Sequence, residues 1–194
     1  MKFGKLSWMF DERKRATTKW GKLGSIIIQT KQEARLLYKM SEKFCNSTIV
    51  ELGRKYGGST VVMAAAINRQ NGTGHIYSID ITDDHYQTAK DFIKSMKMDS
   101  YITLIKGNTQ DYPNDHTIKD AGFVFFDASH DFDSINKEFN TWFPVIQING
   151  FMIVHDYNMD KHPGITKAVN KFLKEKPVKL IERVNRSALI QKLE

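Results

Sequence analysis

Strand-like and helix-like segments alternate along most of this chain, and that alternation leaves few folds open. "KQEARLLYKMSEKF" carries apolar residues at helical spacing, "STIVELG" reads as a buried strand, and "TVVMAAAINRQ" reads as a helix stopped by "NGTG". "HIYSIDI" is a second strand, "DDHYQTAKDFIKSMKM" a helix opened by acidic residues, and "YITLIKG" a third strand. "AGFVFFDAS" and "GFMIVHDY" continue the strands, each followed by a helix, "SINKEFNTWFPVI" and "GITKAVNKFLKEK". "VKLIERV" and "SALIQKL" close the chain as a strand pair turning at "NR". The series predicts an α/β fold, a doubly wound, mostly parallel seven-stranded sheet with helices on both faces. The last pair predicts an antiparallel strand near the C-terminus, at one edge of the sheet.

A chain of 194 residues, 41% of them hydrophobic, supports one substantial core and one globular domain. No internal repeat, low-complexity tract or linker interrupts it. The single cysteine, Cys45, excludes an internal disulfide and a cysteine-built zinc site; it is expected to be a buried small residue in a reducing cytoplasm. "MKFGKLSWMFDERKRATTKW" is too charged for a signal peptide, and no run approaches the roughly 20 apolar residues of a membrane span. Charge is segregated. Residues 1–40 hold 10 Lys and Arg against 3 Asp and Glu, residues 41–160 hold 10 against 16, and residues 161–194 hold 9 against 3. Basic ends attract polyanions or serve simply as solvated lysine faces.

Open sheets of this kind bind ligands beyond the carboxyl ends of their strands, where the strand order reverses. The residues expected there are Glu51, Gly53, Asp80, Gly107 to Asp111, Asp127 to His130, and His155 to Asn158. Four of five strands thus end in or near an acid. The glycine stretch "ELGRKYGGST" is not a dinucleotide fingerprint, because Lys55 stands where the second glycine would admit a pyrophosphate. It also lacks a G-K-[ST] ending. Glu51 would repel a pyrophosphate and suit a cationic ligand.

"VELGRKYGGST" resembles the first motif of catechol-type O-methyltransferases, a branch of the class I S-adenosylmethionine-dependent methyltransferases, with pattern E-x-G-x-x-x-G-x-S met by Glu51, Gly53, Gly57 and Ser59. "YSIDI", "KGNTQD", "FFDASH" and "VHDYN" follow in the family's order, so the resemblance covers roughly residues 25–194. It implies methyl transfer from S-adenosylmethionine to an oxygen of a small molecule, a sugar hydroxyl or a vicinal diol. Gly53 and Gly57 would admit the methionine part, with Glu51 suited to its cationic end and Ser59 near its carboxylate at a helix N-terminus. Asp80 would accept from both ribose hydroxyls, Thr109 and Gln110 would border the adenine, and Asp127 would close the cofactor site.

The resemblance also implies a divalent cation, Mg2+, held by Asp127 and Asp156 and binding two oxygens of the acceptor. Tyr157 stands where the third ligand is expected, and His155 or Asn158 are its substitutes. His130 occupies the position of the family's catalytic base, acting with Asp127. His85, His116 and His162 read as surface residues. Trp142 reads as core, at helical spacing from Phe139 and Val145, while Trp8 and Trp20 are candidates to line an acceptor pocket. Residues 1–40 are expected to form a basic helical segment acting as a lid, or else a polyanion-binding arm, ahead of a methyltransferase domain over 41–194. A nucleic-acid methyltransferase and a non-catalytic cofactor-binding protein are the alternatives. The first lacks an N-P-P-Y-type motif and any RNA-binding domain. Neither the acceptor nor a homo-oligomeric state is specified by the sequence.

Overall fold

The computed structural model describes residues 29–111 and 118–194. In chain order these form α1 (Lys31–Lys43), β1 (Thr48–Leu52), α2 (Gly58–Arg69), β2 (His75–Asp80), α3 (Tyr86–Ser95) and β3 (Ile102–Lys106). Then come β4 (Ala121–Phe126), α4 (Phe132–Trp142), β5 (Ile146–Val154), α5 (Pro163–Glu175), β6 (Val178–Val184) and β7 (Ser187–Lys192). The strands make one seven-stranded sheet in the order β3-β2-β1-β4-β5-β7-β6. The first five are parallel, and β7 is antiparallel to both its neighbours. The antiparallel strand is therefore one place in from the edge, which β6 occupies. A two-residue turn at Asn185 and Arg186 makes this arrangement, folding β7 back between β6 and β5.

Period-2 alternation divides the apolar residues of the strands between two cores. Ile49, Phe123, Phe125, Phe151 and Ile153 face α1, α2 and α3, where Leu37, Met63 and Phe92 meet them. Val50, Leu52, Val124, Phe126, Met152 and Val154 face α4 and α5, against Phe139, Trp142 and Phe172. Central strands buried on both faces explain why "IVEL" and "FVFF" are nearly continuous apolar runs. Trp142 is core, as its spacing implied, and its indole N–H donates to the Thr109 carbonyl at 2.6 Å.

Smaller details depart from the sequence reading. Cys45 is free and only partly buried, in the turn after α1. The acids before α3 do not cap it; the helix starts at Tyr86, and Asp83 instead pairs with Lys106 across the end of β3. Helix α1 begins with a capping box, Thr30 and Glu33, and its Leu36, Leu37 and Met40 enter the core, so it runs through the boundary drawn at residue 40. Trp8, Trp20, His116 and most of the basic N-terminal segment lie outside the described residues. Among the described residues, no helix is long and apolar enough to cross a membrane.

Candidate active site

The chain runs outward from β1 through β2 to β3 and then returns to place β4 on the other side of β1, so the sheet's switch point lies between β1 and β4. There the two backbones touch. Gly53 has φ +89°, and a Cβ on it would stand 2.6 Å from the Asp127 carbonyl carbon and 2.8 Å from the Ala128 nitrogen. Glycine is required by the neighbouring strand end as well as by the turn. Beyond this point opens a cavity of about 560 Å³.

One half of the cavity is built from the β1 and β2 ends. The Asp80 carboxylate accepts from the backbone N–H of Arg54 (3.0 Å), Lys55 (2.9 Å) and Thr82 (3.1 Å). Burial would raise its pKa, but these N–H groups and the Arg54 guanidinium outweigh burial and hold it below the usual carboxylate range. Asp80 thereby clamps the glycine loop while still lining the cavity. Ser59 lines it too, in the first turn of α2, whose N-terminus carries no side-chain cap. Asn108, Thr109 and Gln110 form the adjoining wall after β3. Thr109 is fixed from behind by its hydroxyl bond to Glu138 at 2.5 Å.

Glu51 and Gly57 do not line the cavity, contrary to the sequence expectation. Glu51 is fully buried, and its carboxylate accepts from the hydroxyls of Ser59, Thr60 (2.5 Å) and Ser78 (2.5 Å). Burial pushes its pKa up to about 7 against the opposing hydroxyls and Arg54, so it is a poor partner for a cation and instead a post that fixes Ser59. Gly57 caps α2 in the left-handed region at φ +79°, where a Cβ would press on Ala89 of α3 at 3.3 Å. Its role is to let two helices meet.

The other half gathers the ends of β4 and β5. Asp127 accepts from the Gln29 amide at 3.0 Å, and its other oxygen lies 3.0 Å from His155 Nδ1. The same Nδ1 is 3.3 Å from Asp156 Oδ1, and His155 Nε2 is 3.7 Å from Glu33 Oε2. These are contacts of an ion cluster more than aligned hydrogen bonds. Burial opposes charge on His155, yet Asp127, Asp156 and Glu33 together hold its pKa up to about 11. Burial likewise raises Asp127 beyond what His155 can offset, whereas Glu33 is held down to about 2 by His155 and the Thr30 amide. Glu33 also accepts from the Arg186 backbone N–H at 2.9 Å, which ties the β6–β7 turn to α1.

Asp156 faces outward with its second oxygen. Oδ2 lies 3.4 Å from His130 Nε2 and 4.0 Å from His162 Nε2, and Oδ1 is 3.4 Å from Arg186 Nη1. The Asp156 contact, with help from Asp127, outweighs burial and raises the His130 pKa. His162, assigned to the surface on sequence, lines the cavity with its ring centroid 4.4 Å from that of His130. Neither proposed substitute for the third metal ligand behaves alike: His155 turns inward, while Asn158 is exposed and its N–H goes to Thr166 at 2.9 Å. Tyr157 turns into the core and donates to Asn170 at 3.0 Å. His85 stacks on Tyr56 away from the cavity.

The Asp127–Asp156 pair does not fit magnesium. That ion takes near-octahedral oxygen ligands, whereas here an imidazole nitrogen is wedged between the two inner carboxylate oxygens.

Residues 50–157 match the sequence profile of a family described as methyltransferase domain, which is more than half the chain. The chain belongs to this methyltransferase family. No curated protein matches it in sequence. Among solved structures it is similar to an O-methyltransferase of Bacillus cereus in complex with S-adenosylhomocysteine, at 13% identity and TM-score 0.74 over 97% of this chain and 91% of that one. It is also similar to the tomaymycin-synthesis O-methyltransferase of Streptomyces achromogenes in complex with S-adenosylmethionine, at 14% identity and TM-score 0.71 over 95% and 90%. A third is a TDP-rhamnose 3'-O-methyltransferase of calicheamicin biosynthesis, at 16% identity and TM-score 0.63 over 82% and 76%. At these identities the likeness establishes a shared Rossmann-like methyltransferase fold.

Glu33, Gln29 and Arg186 are not singled out by the sequence, and His162 reads there only as a surface residue. Thr30-x-x-Glu33 is a capping-box spacing and could have marked Glu33, and His162 immediately precedes the Pro163 that opens α5. Nothing local marks Arg186, which reaches the site only because the hairpin folds back.

Proposed function

We propose that this methyltransferase moves a methyl group from S-adenosylmethionine to a hydroxyl oxygen of a small molecule, a sugar or vicinal diol. The observation that carries the reading is the division of one cavity at the switch point. Its first half offers Asp80, Ser59 at an uncapped helix start, and the wall from Asn108 to Gln110. A carboxylate with one lone pair left after its three backbone partners suits a ribose hydroxyl, free helix N–H groups suit a carboxylate, and the wall after β3 suits a base. When bound, the cofactor supplies a methyl group made electrophilic by its sulfonium.

The protein's own work is then to orient the acceptor and take its proton. His130 does this in the second half, held by Asp156 at 3.4 Å as a base is held by the carboxylate that orients it. His130 functions as a base once it has lost its own proton, at a pH above that of a free imidazole. Asp127, fixed by Gln29 and His155, borders the acceptor on the other side and adds negative charge that stabilises the protonated His130.

Calorimetric titration with S-adenosylhomocysteine and NAD tests the reading. S-adenosylhomocysteine should bind with one equivalent and NAD should not. Tighter binding of NAD would overturn it. The small-molecule acceptor rests on the histidine-lined half of the cavity. Methylation of RNA but not of sugar or diol acceptors would favour the nucleic-acid alternative.

A further inference from the structure

The stacked pair His130 and His162 has no counterpart in the sequence expectation and is more than a base needs. We propose that Nε2 of His130, Nε2 of His162 and Oδ2 of Asp156 form a binding site for a divalent transition ion of the zinc class, open on the cavity side, and that an ion there takes up the base.

The donor set decides the class of ion. Two imidazoles and one carboxylate suit zinc and cobalt and are unsuited to magnesium or calcium. With bonds of about 2.0–2.1 Å, ligand atoms around a tetrahedral ion stand about 3.4 Å apart. The His130–Asp156 separation is already 3.4 Å, and His162, at 4.0 Å, closes by roughly half an ångström through side-chain rotation. One donor atom from each of the three residues lies within 4.8 Å of the other two. Three protein ligands with a fourth position facing a cavity is the layout of an exchangeable site.

The surrounding structure holds the donors in this relationship. Asp156 has φ +56°, a conformation rare outside glycine, which presents its carboxylate between the two loops. Its inner oxygen is taken by His155 and Arg186, which leaves the outer oxygen directed at the histidines. The loop carrying His162 is pressed onto the loop carrying His130. A Cβ on Gly164 would stand 2.7 Å from the Phe132 nitrogen and 2.9 Å from the His130 carbonyl oxygen. Pro163 fixes the backbone between. The inner trio of Asp127, His155 and Asp156 meets the same distance criterion, but Glu33 closes its far side and His155 is only 3% exposed.

Ion binding rests on these side chains alone. Only its consequence, loss of the base, rests on the proposed methyl transfer. An ion on Nε2 of His130 would leave the ring's remaining proton on Nδ1, the nitrogen turned away from Asp156, so the ring could no longer take one up.

The test is titration of the full chain with Co2+, followed by electronic absorption, and with Zn2+, followed by calorimetry, in each case with S-adenosylhomocysteine binding measured on the same sample. One equivalent of Co2+ should give the visible bands of a low-coordinate nitrogen-ligated ion, and millimolar Mg2+ should not displace it. H162A, H162Q and H130A should each weaken Zn2+ by at least tenfold while S-adenosylhomocysteine binding persists, whereas D127N should keep the ion. Absence of Co2+ bands in the unaltered chain, unchanged affinity in both His162 variants, or loss of the ion in D127N would overturn the site. S-adenosylhomocysteine binding reports separately on the cofactor half, so failure of one reading is not mistaken for failure of the other.

Discussion

Nδ1 of His155 stands 3.0 Å from Oδ1 of Asp127, and this contact joins the carboxyl ends of β5 and β4 across the floor of the cavity. It places a buried positive charge between strand-end acids, in the position where the family resemblance implies a metal cation. Glu33, from α1, completes the cluster on the side away from the cavity.

Removing His155 should therefore damage the fold more than the cofactor half. His155→Gln takes the imidazolium from the buried Glu33, which keeps only Arg186 at 3.8 Å, and from the half-buried Asp127; loss of one partner of a buried pair typically costs about 3–5 kcal/mol, and this half-open site should fall at the low end. Pairing it with Glu33→Gln should recover part of this, because the uncompensated charge goes as well. Denaturant unfolding of the two single variants and the double variant measures the coupling. Strictly additive losses would show that the contact carries no energy of its own.

The buried Glu51 makes stability depend on pH in a known direction. Its folded pKa of about 7 exceeds the ordinary value of 4.5, so between these values the folded chain holds a proton that the unfolded chain has lost. Its contribution is most favourable below pH 4.5 and declines as pH rises to about 7, then levels off. Glu51→Gln does not titrate. The melting temperature of the variant relative to the unaltered chain should rise between pH 4.5 and 7 and stay flat above. A constant difference across that range would mean that Glu51 is charged in the fold.

Gly53 and Gly57 look equivalent in the motif but should respond differently to alanine. At Gly57 the substitution meets φ +79° and a 3.3 Å contact with a side-chain carbon, for a cost of about 1–2 kcal/mol. At Gly53 it meets φ +89° and the Asp127 backbone inside van der Waals contact, so the β4 end must move. Gly53→Ala should cost at least twice as much and should weaken S-adenosylhomocysteine as well. Equal melting temperatures would refute the difference.

These cases show what was legible in the sequence and why. Alternation of apolar runs and the acids and glycines that follow them fixed the parallel sheet and the rim, since both are local patterns. Asp80, Thr109, Gln110, Asp127 and His130 were all placed on one cavity by that rule. Burial was not legible: nothing in "IVELG" distinguishes a carboxylate reaching a ligand from one enclosed by three hydroxyls supplied by α2 and β2. Nor were long-range partners. His162 and Arg186 reach the site through the packing of Gly164 and the return of β7, and both depend on the assembled sheet.

Asp80→Ala should separate the clamp from the contact. It loses three backbone N–H partners and the acceptor offered to a ribose, so S-adenosylhomocysteine affinity should fall by roughly 10–100-fold, the scale of one or two charged hydrogen bonds. Asp80→Asn keeps one acceptor oxygen and should fall between. Undiminished binding in Asp80→Ala, measured by calorimetry, would remove Asp80 from the cofactor site.

The dyad of His130 and Asp156 makes the sharpest statement about the reaction. If His130 takes the acceptor's proton, turnover should rise with pH through a pKa above that of a free imidazole, since Asp156 holds the proton on it. His130→Ala should slow turnover by roughly 10²–10⁴-fold and flatten that rise, the scale expected for a lost base. Because His155 already bridges the carboxylate pair, EDTA should leave turnover intact, and added Zn2+ should depress it through the outer histidines. Asp156→Asn should shift the pH profile downward, because the neutral amide no longer holds the proton on His130. The opposite pattern, turnover abolished by EDTA and restored by Mg2+ with His130→Ala within a few-fold of the unaltered enzyme, would return Asp127 and Asp156 to the role of metal ligands. It would also require His155 to swing out from between them.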